Sequence, residues 1–275
     1  MASYVLENAQ AKVIIDEHAS EIHSFVNKKT GLEYMWQGDP AFWSGRNPTL
    51  FPMVGSTWDK KLHIGGKEYV TGNHGFTRRS DFTCISCDGT ALTNELKDSE
   101  ATRKEYPFGF DLKITYTLDQ ATLTVDYAIT NTNDEVMPFN FGLHPAFNCP
   151  IEKDKQYADY RIEFNNAENI HWLDTNLDDT KVLPLNPDDL AKTVILSDPK
   201  STVSTLTDGV HGVSVGYENY PWLAFWSPNA PFVCIEPWHS HTDFDKVEVP
   251  FEKREGTLFL NPGDTFRTSY TITVW

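Results

Sequence analysis

The sequence predicts an all-β fold, a large antiparallel β-sandwich, on three observations: runs that alternate apolar with polar residues, tight turns between them, and no stretch that sustains a helical period. In FDLKITYTL, Phe110, Leu112, Ile114, Tyr116 and Leu118 are apolar, while Asp111, Lys113, Thr115 and Thr117 are polar. Successive strand side chains point to opposite faces, so a period of two marks a half-buried strand.

Taken in chain order, Gly65-Gly66 between LHI and KEYV, and Asp88-Gly89 between CISC and TALT, read as hairpin turns. After an Asp119-Gln120 turn, Leu123, Val125, Tyr127 and Ile129 repeat the alternation, and Tyr270, Ile272 and Val274 repeat it in the last strand. Residues 176–192 are the best place for a short helix, which Pro184 and Pro187 restrict. There is no internal repeat, low-complexity tract or linker, so residues 1–275 are expected to form one domain.

At 275 residues the chain is long enough to bury most of its apolar surface without disulfide or metal staples. Its 4 cysteines are scattered, and Cys84-x-x-Cys87 lacks the second pair that a structural zinc site needs. The N-terminal MASYVLENAQ has no basic segment leading into an apolar one, and no apolar run approaches the ~20 residues of a membrane span, so a cytoplasmic, soluble protein is expected. A net charge of −16 argues against a nucleic-acid partner, since a phosphate-tracking surface needs clustered Lys and Arg. A small phosphorylated ligand, which needs only local positive charge, is still compatible.

Candidate chemistry lies where the alternation breaks. FNFGLHPAFN places His144 before Pro145, and PFVCIEPW places Glu236 before Pro237. Proline cannot donate to a ladder, so each strand is expected to end there and to deliver its last side chain to a rim or cleft. A carboxylate closing the run Phe232 to Ile235 should be partly desolvated, which raises its pKa. A glutamate so raised and a near-neutral histidine can move protons near pH 7. On the residues alone they fit equally well as a hydrogen-bonded structural histidine and a rim glutamate. TGNHGFTRRSDF sets His74 between Gly72 and Gly75 in a loop, with Arg78 and Arg79 after it. WSGRNPTLFPMVG sets Arg46 in another loop, and Trp238 stands two positions past Glu236. His239-x-His241-x-Asp243 would share one strand face and raises a metal-binding, cupin-like alternative.

RNPTLFPMVG, HGFTR, GLHPAFN and CIEPW, in that order from Arg46 to Trp238, resemble the galactose mutarotase-like, or aldose 1-epimerase, family, and its LacX-type bacterial branch above others. The resemblance covers essentially the whole chain. It implies a β supersandwich with a cleft on one sheet, a small-molecule sugar as substrate, and neither metal nor other cofactor. It implies His144 as general acid, Glu236 as general base, and His74 on the ring-oxygen side of the sugar. Arg46, Arg78 and Trp238 carry over as substrate-binding residues. Ring opening and reclosure would interconvert α and β anomers, with a bell-shaped pH profile whose acidic limb belongs to Glu236 and basic limb to His144. The Asp-His segment by which galactose mutarotases grip sugar hydroxyls has no counterpart here, and Glu236-Pro237 looks like the hexose-6-phosphate branch. Galactose, glucose and a hexose 6-phosphate all fit, as does a carbohydrate-binding protein without catalysis.

Overall fold

The computed structural model describes residues 2–275. The predicted strands form where alternation placed them. Phe110–Asp119 and Thr122–Asn131 pair antiparallel from Phe110 opposite Asn131 to Asp119 opposite Thr122, and Thr265–Val274 adds to the other side of the second strand. Every apolar position in the alternating runs is buried, from Phe110 through Val274. These strands lie in the middle of a nine-stranded antiparallel sheet. Gly65 and Gly66, both at positive φ, join Leu62–Ile64 to Lys67–Tyr69, and Gly89 at φ 92° turns Thr83–Cys87 into Ala91–Lys97.

A six-stranded sheet carries Val194–Ser197, Trp222–Trp226, Phe232–Trp238, Gly142–Leu143 and Thr49–Leu50 in that order, with Ala146–Asn148 also on Phe232–Trp238. Its Leu223, Phe225, Val233 and Ile235 join the same apolar cluster as Val125, Ile129 and Ile272 of the large sheet, and Phe225 packs edge-on against Phe164 across the layer. The two sheets therefore face each other across one core, as a sandwich does. Trp222, Ala224 and Trp226, with Phe232, Cys234, Glu236 and Trp238, are left on the outer face of the smaller sheet by strand alternation.

Two local expectations change. Residues 176–192 are strand before they are helix: Thr175–Pro184 is the edge strand of the large sheet, and only Pro187–Ala191 is helical, with Asn186 accepting from Asp188 N–H at 3.0 Å. The strand shows no alternation because its inner partner covers one edge and its faces are mostly exposed, which favours the polar run Thr-Asn-Leu-Asp-Asp-Thr-Lys. A second helix, Glu100–Glu105, is held at its start by a reciprocal cap between Ser99 and Thr102, a signal too short to stand out as a period.

The second change concerns Pro237. The strand does not stop there but runs on to Trp238, with Pro237 opposite Leu223. Ile235 N–H donates to Pro145 O at 3.1 Å. Pro237 faces the same edge two residues on, at Leu143 in the register that sets Gly142 opposite Trp238 and Ala146 opposite Cys234, so its missing N–H falls at the last residue before the neighbouring strand breaks off. At His144-Pro145 the expectation holds, since the strand ends at Leu143 and resumes at Ala146. Among the described residues, no helix is long and apolar enough to cross a membrane.

Candidate active site

The outer face of the small sheet floors a cleft of about 520 Å³ whose lining includes His74, Arg78, His144, Glu236 and Trp238. His144 comes from the strand break and Glu236 from the middle of the neighbouring strand. Nε2 of His144 lies 3.4 Å from Oε2 of Glu236, and the residues are 6% and 1% exposed. Burial pushes the Glu236 carboxyl well above the usual carboxylate range. Burial, with help from His74 and Arg78, pushes His144 well below the usual imidazole range. The two shifts reverse the expectation that Glu236 sets the acidic limb of a pH profile and His144 the basic one: a lowered His144 ties the acidic limb to protonation of the imidazole, and a raised Glu236 ties the basic limb to loss of the carboxyl proton. A protonated glutamate beside neutral histidine, and a carboxylate beside imidazolium, carry the same total charge. With Glu236 raised and His144 lowered, the two share one proton, and the apparent titrations belong to the pair rather than to either residue.

Aromatic rings fix His144 in place. Trp43 stacks on it with ring centres 4.8 Å apart and planes at 29°, and Trp226 meets it edge-on at 5.5 Å. Neither tryptophan stood out in the sequence. Trp43 sits in an irregular loop with no period to read, held by its carbonyl accepting from Trp36 Nε1–H at 2.8 Å. Trp226 reaches the cleft only because it is in phase with Ala224, which lies directly across from Glu236.

His74 is held by its backbone. Its N–H donates to Gly55 O at 2.8 Å, and Gly55 N–H donates to its Nδ1 at 3.0 Å. A backbone N–H can only donate, so Nδ1 must be bare and the ring proton must sit on Nε2. Burial, then Arg78, pushes its pKa down to about 3, which keeps the ring neutral. The loop is tight because Gly72, His74 and Gly75 all have positive φ. A Cβ on Gly75 would lie 2.1 Å from Phe51 O.

Arg78 reaches the same cleft from a short 3₁₀ turn, Thr77–Arg79, and makes no hydrogen bond or ion pair among the described residues. Trp238 is buried there with its indole Nε1 also unpartnered. Trp238 fits because Gly142 is opposite it, where a Cβ would come within 2.8 Å of the indole.

Residues 2–273 match the aldose 1-epimerase family. The chain belongs to it. Protein LacX (plasmid) of Lactococcus lactis subsp. lactis is 32% identical, across 90% of this chain and 92% of its own. The structure of a galactose mutarotase related enzyme from Lactobacillus acidophilus matches with a TM-score of 0.92 at 30% identity, covering 100% of this chain and 97% of that one. A galactose mutarotase-like protein from Lactobacillus casei matches with a TM-score of 0.89 at 29% identity, covering 100% of both chains.

Within this aldose 1-epimerase family chain, the structure gathers five of the six residues read from the sequence. The sixth, Arg46, lies outside the cleft lining. Its guanidinium donates to Gln37 O at 2.7 Å, and its backbone N–H donates to the buried Glu21 carboxylate at 3.0 Å. The RNP segment thus anchors the loop that carries Trp43. The cupin-like set does not converge. His239 pairs with Thr268 at 2.8 Å, His241 Nδ1 with Thr242 O at 2.7 Å, and Asp243 with the buried Arg254.

Proposed function

We propose that the protein is an aldose 1-epimerase that interconverts the α and β anomers of a hexose or hexose phosphate. The observation that carries the reading is the buried His144–Glu236 pair, 3.4 Å apart on the cleft floor. In the tautomer that places the pair's shared proton on His144, the Glu236 carboxylate takes the proton of the anomeric hydroxyl while the His144 imidazolium gives one to the ring oxygen. The C1–O5 bond breaks, the open aldehyde turns about C1–C2, and the reverse transfers close the other face. The products return the single proton to where it began, so no cofactor has to regenerate the site. Each positioned transfer is worth about 10²–10⁴ in rate.

His74 Nε2–H serves as a neutral donor that cannot compete for the transferred proton. Trp238 Nε1 and His144 Nδ1 are buried without protein partners. Buried polar atoms are seldom left so, which suits a site whose hydrogen bonds are completed by substrate hydroxyls. The proposal includes that residues 1–275 act as one unit, and that a neutral sugar face rests on the cleft's indoles. All four cysteines are free, which fits a reducing, cytoplasmic setting.

Anomer exchange measured by NMR over a panel of free and 6-phosphorylated hexoses tests this reading. Exchange well above the spontaneous rate for at least one sugar is expected. Sugar binding without exchange would leave a binding protein and refute the enzyme.

A further inference from the structure

We propose that His144, Cys234 and Glu236 form a binding site for a thiophilic divalent cation of the zinc type, whose occupation blocks the acid–base pair. Only the blocking half rests on the epimerase reading. One ligand atom from each residue lies within 4.8 Å of the other two, and all three residues are buried. Histidine nitrogen, thiolate sulfur and carboxylate oxygen are the donors zinc takes.

The spacing suits such an ion. With bonds of about 2.0–2.1 Å, two ligands of a tetrahedral zinc stand about 3.4 Å apart. His144 Nε2 and Glu236 Oε2 are already separated by 3.4 Å. The cysteine sulfur has to close by roughly 1 Å, within reach of a side-chain rotation. Cys234 is placed for this by strand alternation, two residues before Glu236 on the same face. Its thiol makes no hydrogen bond among the described residues, so nothing has to be broken. His144 and Glu236 both line the cleft, which leaves the fourth position open to water or a sugar oxygen.

Charge favours the complex. On binding, the Cys234 thiol proton and the proton held by the His144–Glu236 pair leave to solvent. A divalent cation with one thiolate, one carboxylate and one neutral imidazole is electrically neutral, and burying a neutral complex avoids the penalty of a lone charge. No electron changes hands. Neither proton transfer of the epimerase reaction needs Cys234, so the thiol can be altered independently of catalysis.

Cobalt(II) and zinc(II) titrations of the intact protein test the proposal. Cobalt should bind one ion per chain with a thiolate-to-metal absorption band in the near ultraviolet, and zinc should displace it. Zinc should also stop anomer exchange, and EDTA should restore it. In Cys234→Ser, with Cys234→Ala as a second variant in case the first misfolds, the band should vanish. Exchange should persist, and the zinc concentration for half-inhibition should rise more than about a hundredfold, beyond the usual cost of losing a mere outer partner of a metal site. No cobalt band in the wild type, or zinc inhibition unchanged in a folded Cys234 variant, would overturn the three-ligand site. If the wild type shows no exchange on any sugar, the cobalt titration still decides the binding half by itself.

Discussion

Trp43 lies against the imidazole of His144, ring centres 4.8 Å apart and planes at 29°, so one face of the histidine is shut off from water. That cover is part of what lowers His144, because desolvation disfavours the imidazolium. Trp43→Ala should rehydrate the ring and make the doubly protonated pair easier to reach. The acidic limb of kcat/KM should therefore move to higher pH. A pH–rate profile of the variant with its limb unmoved, or moved to lower pH, would contradict this account of the histidine's environment.

Most of the fold was legible because its central strands bury one face of a period-two pattern, and Phe110 through Leu118 show that pattern without interruption. The edge strand Thr175–Pro184 was not, since exposure removes the apolar signal that alternation needs. Phe232–Trp238 defeated the pattern in the opposite way: both its faces are buried, so its apolar run hides which side Glu236 takes. Of the site, the ionisable residues stood out by breaking apolar runs or by sitting between glycines. Trp43, Trp226 and the small Ala224 opposite Glu236 came into view only with strand register and a folded loop. Arg46, carried over through the RNPTLFP resemblance, stands outside the cleft lining because its guanidinium turns to Gln37 O, an orientation that no sequence pattern displays.

Arg78 is the arginine that reaches the cleft without a protein partner, whereas Arg46 is tied elsewhere. Should the substrate be phosphorylated, Arg78→Ala is expected to raise KM for a hexose 6-phosphate far more than for the free sugar. Arg46→Ala is expected to leave the ratio of the two near that of the wild type. Steady-state kinetics on both sugars check this, and an equal rise for both in Arg78→Ala would remove the phosphate from the account.

Gly75 holds φ +73° with the Phe51 carbonyl where a side chain would begin. Gly75→Ala should lose more than about 1 kcal/mol of stability, because alanine is strained at positive φ and the chains must also part. The same shift displaces His74, so KM should rise along with the fall in the urea midpoint. A variant with wild-type stability would mean that the close packing of this loop against Phe51 is not what holds it.

The central claim is that the Glu236 carboxylate moves the anomeric proton, and Glu236→Gln tests it most directly. Glutamine keeps the shape and accepts hydrogen bonds but cannot take up the proton. Exchange is best followed by NMR saturation transfer between anomers, with the spontaneous rate subtracted, alongside sugar affinity by calorimetry. The account predicts a loss of at least about 10²-fold in kcat, the low end for one positioned base, with affinity little changed. A folded Glu236→Gln protein that keeps more than about a tenth of the wild-type kcat above the spontaneous rate would contradict it.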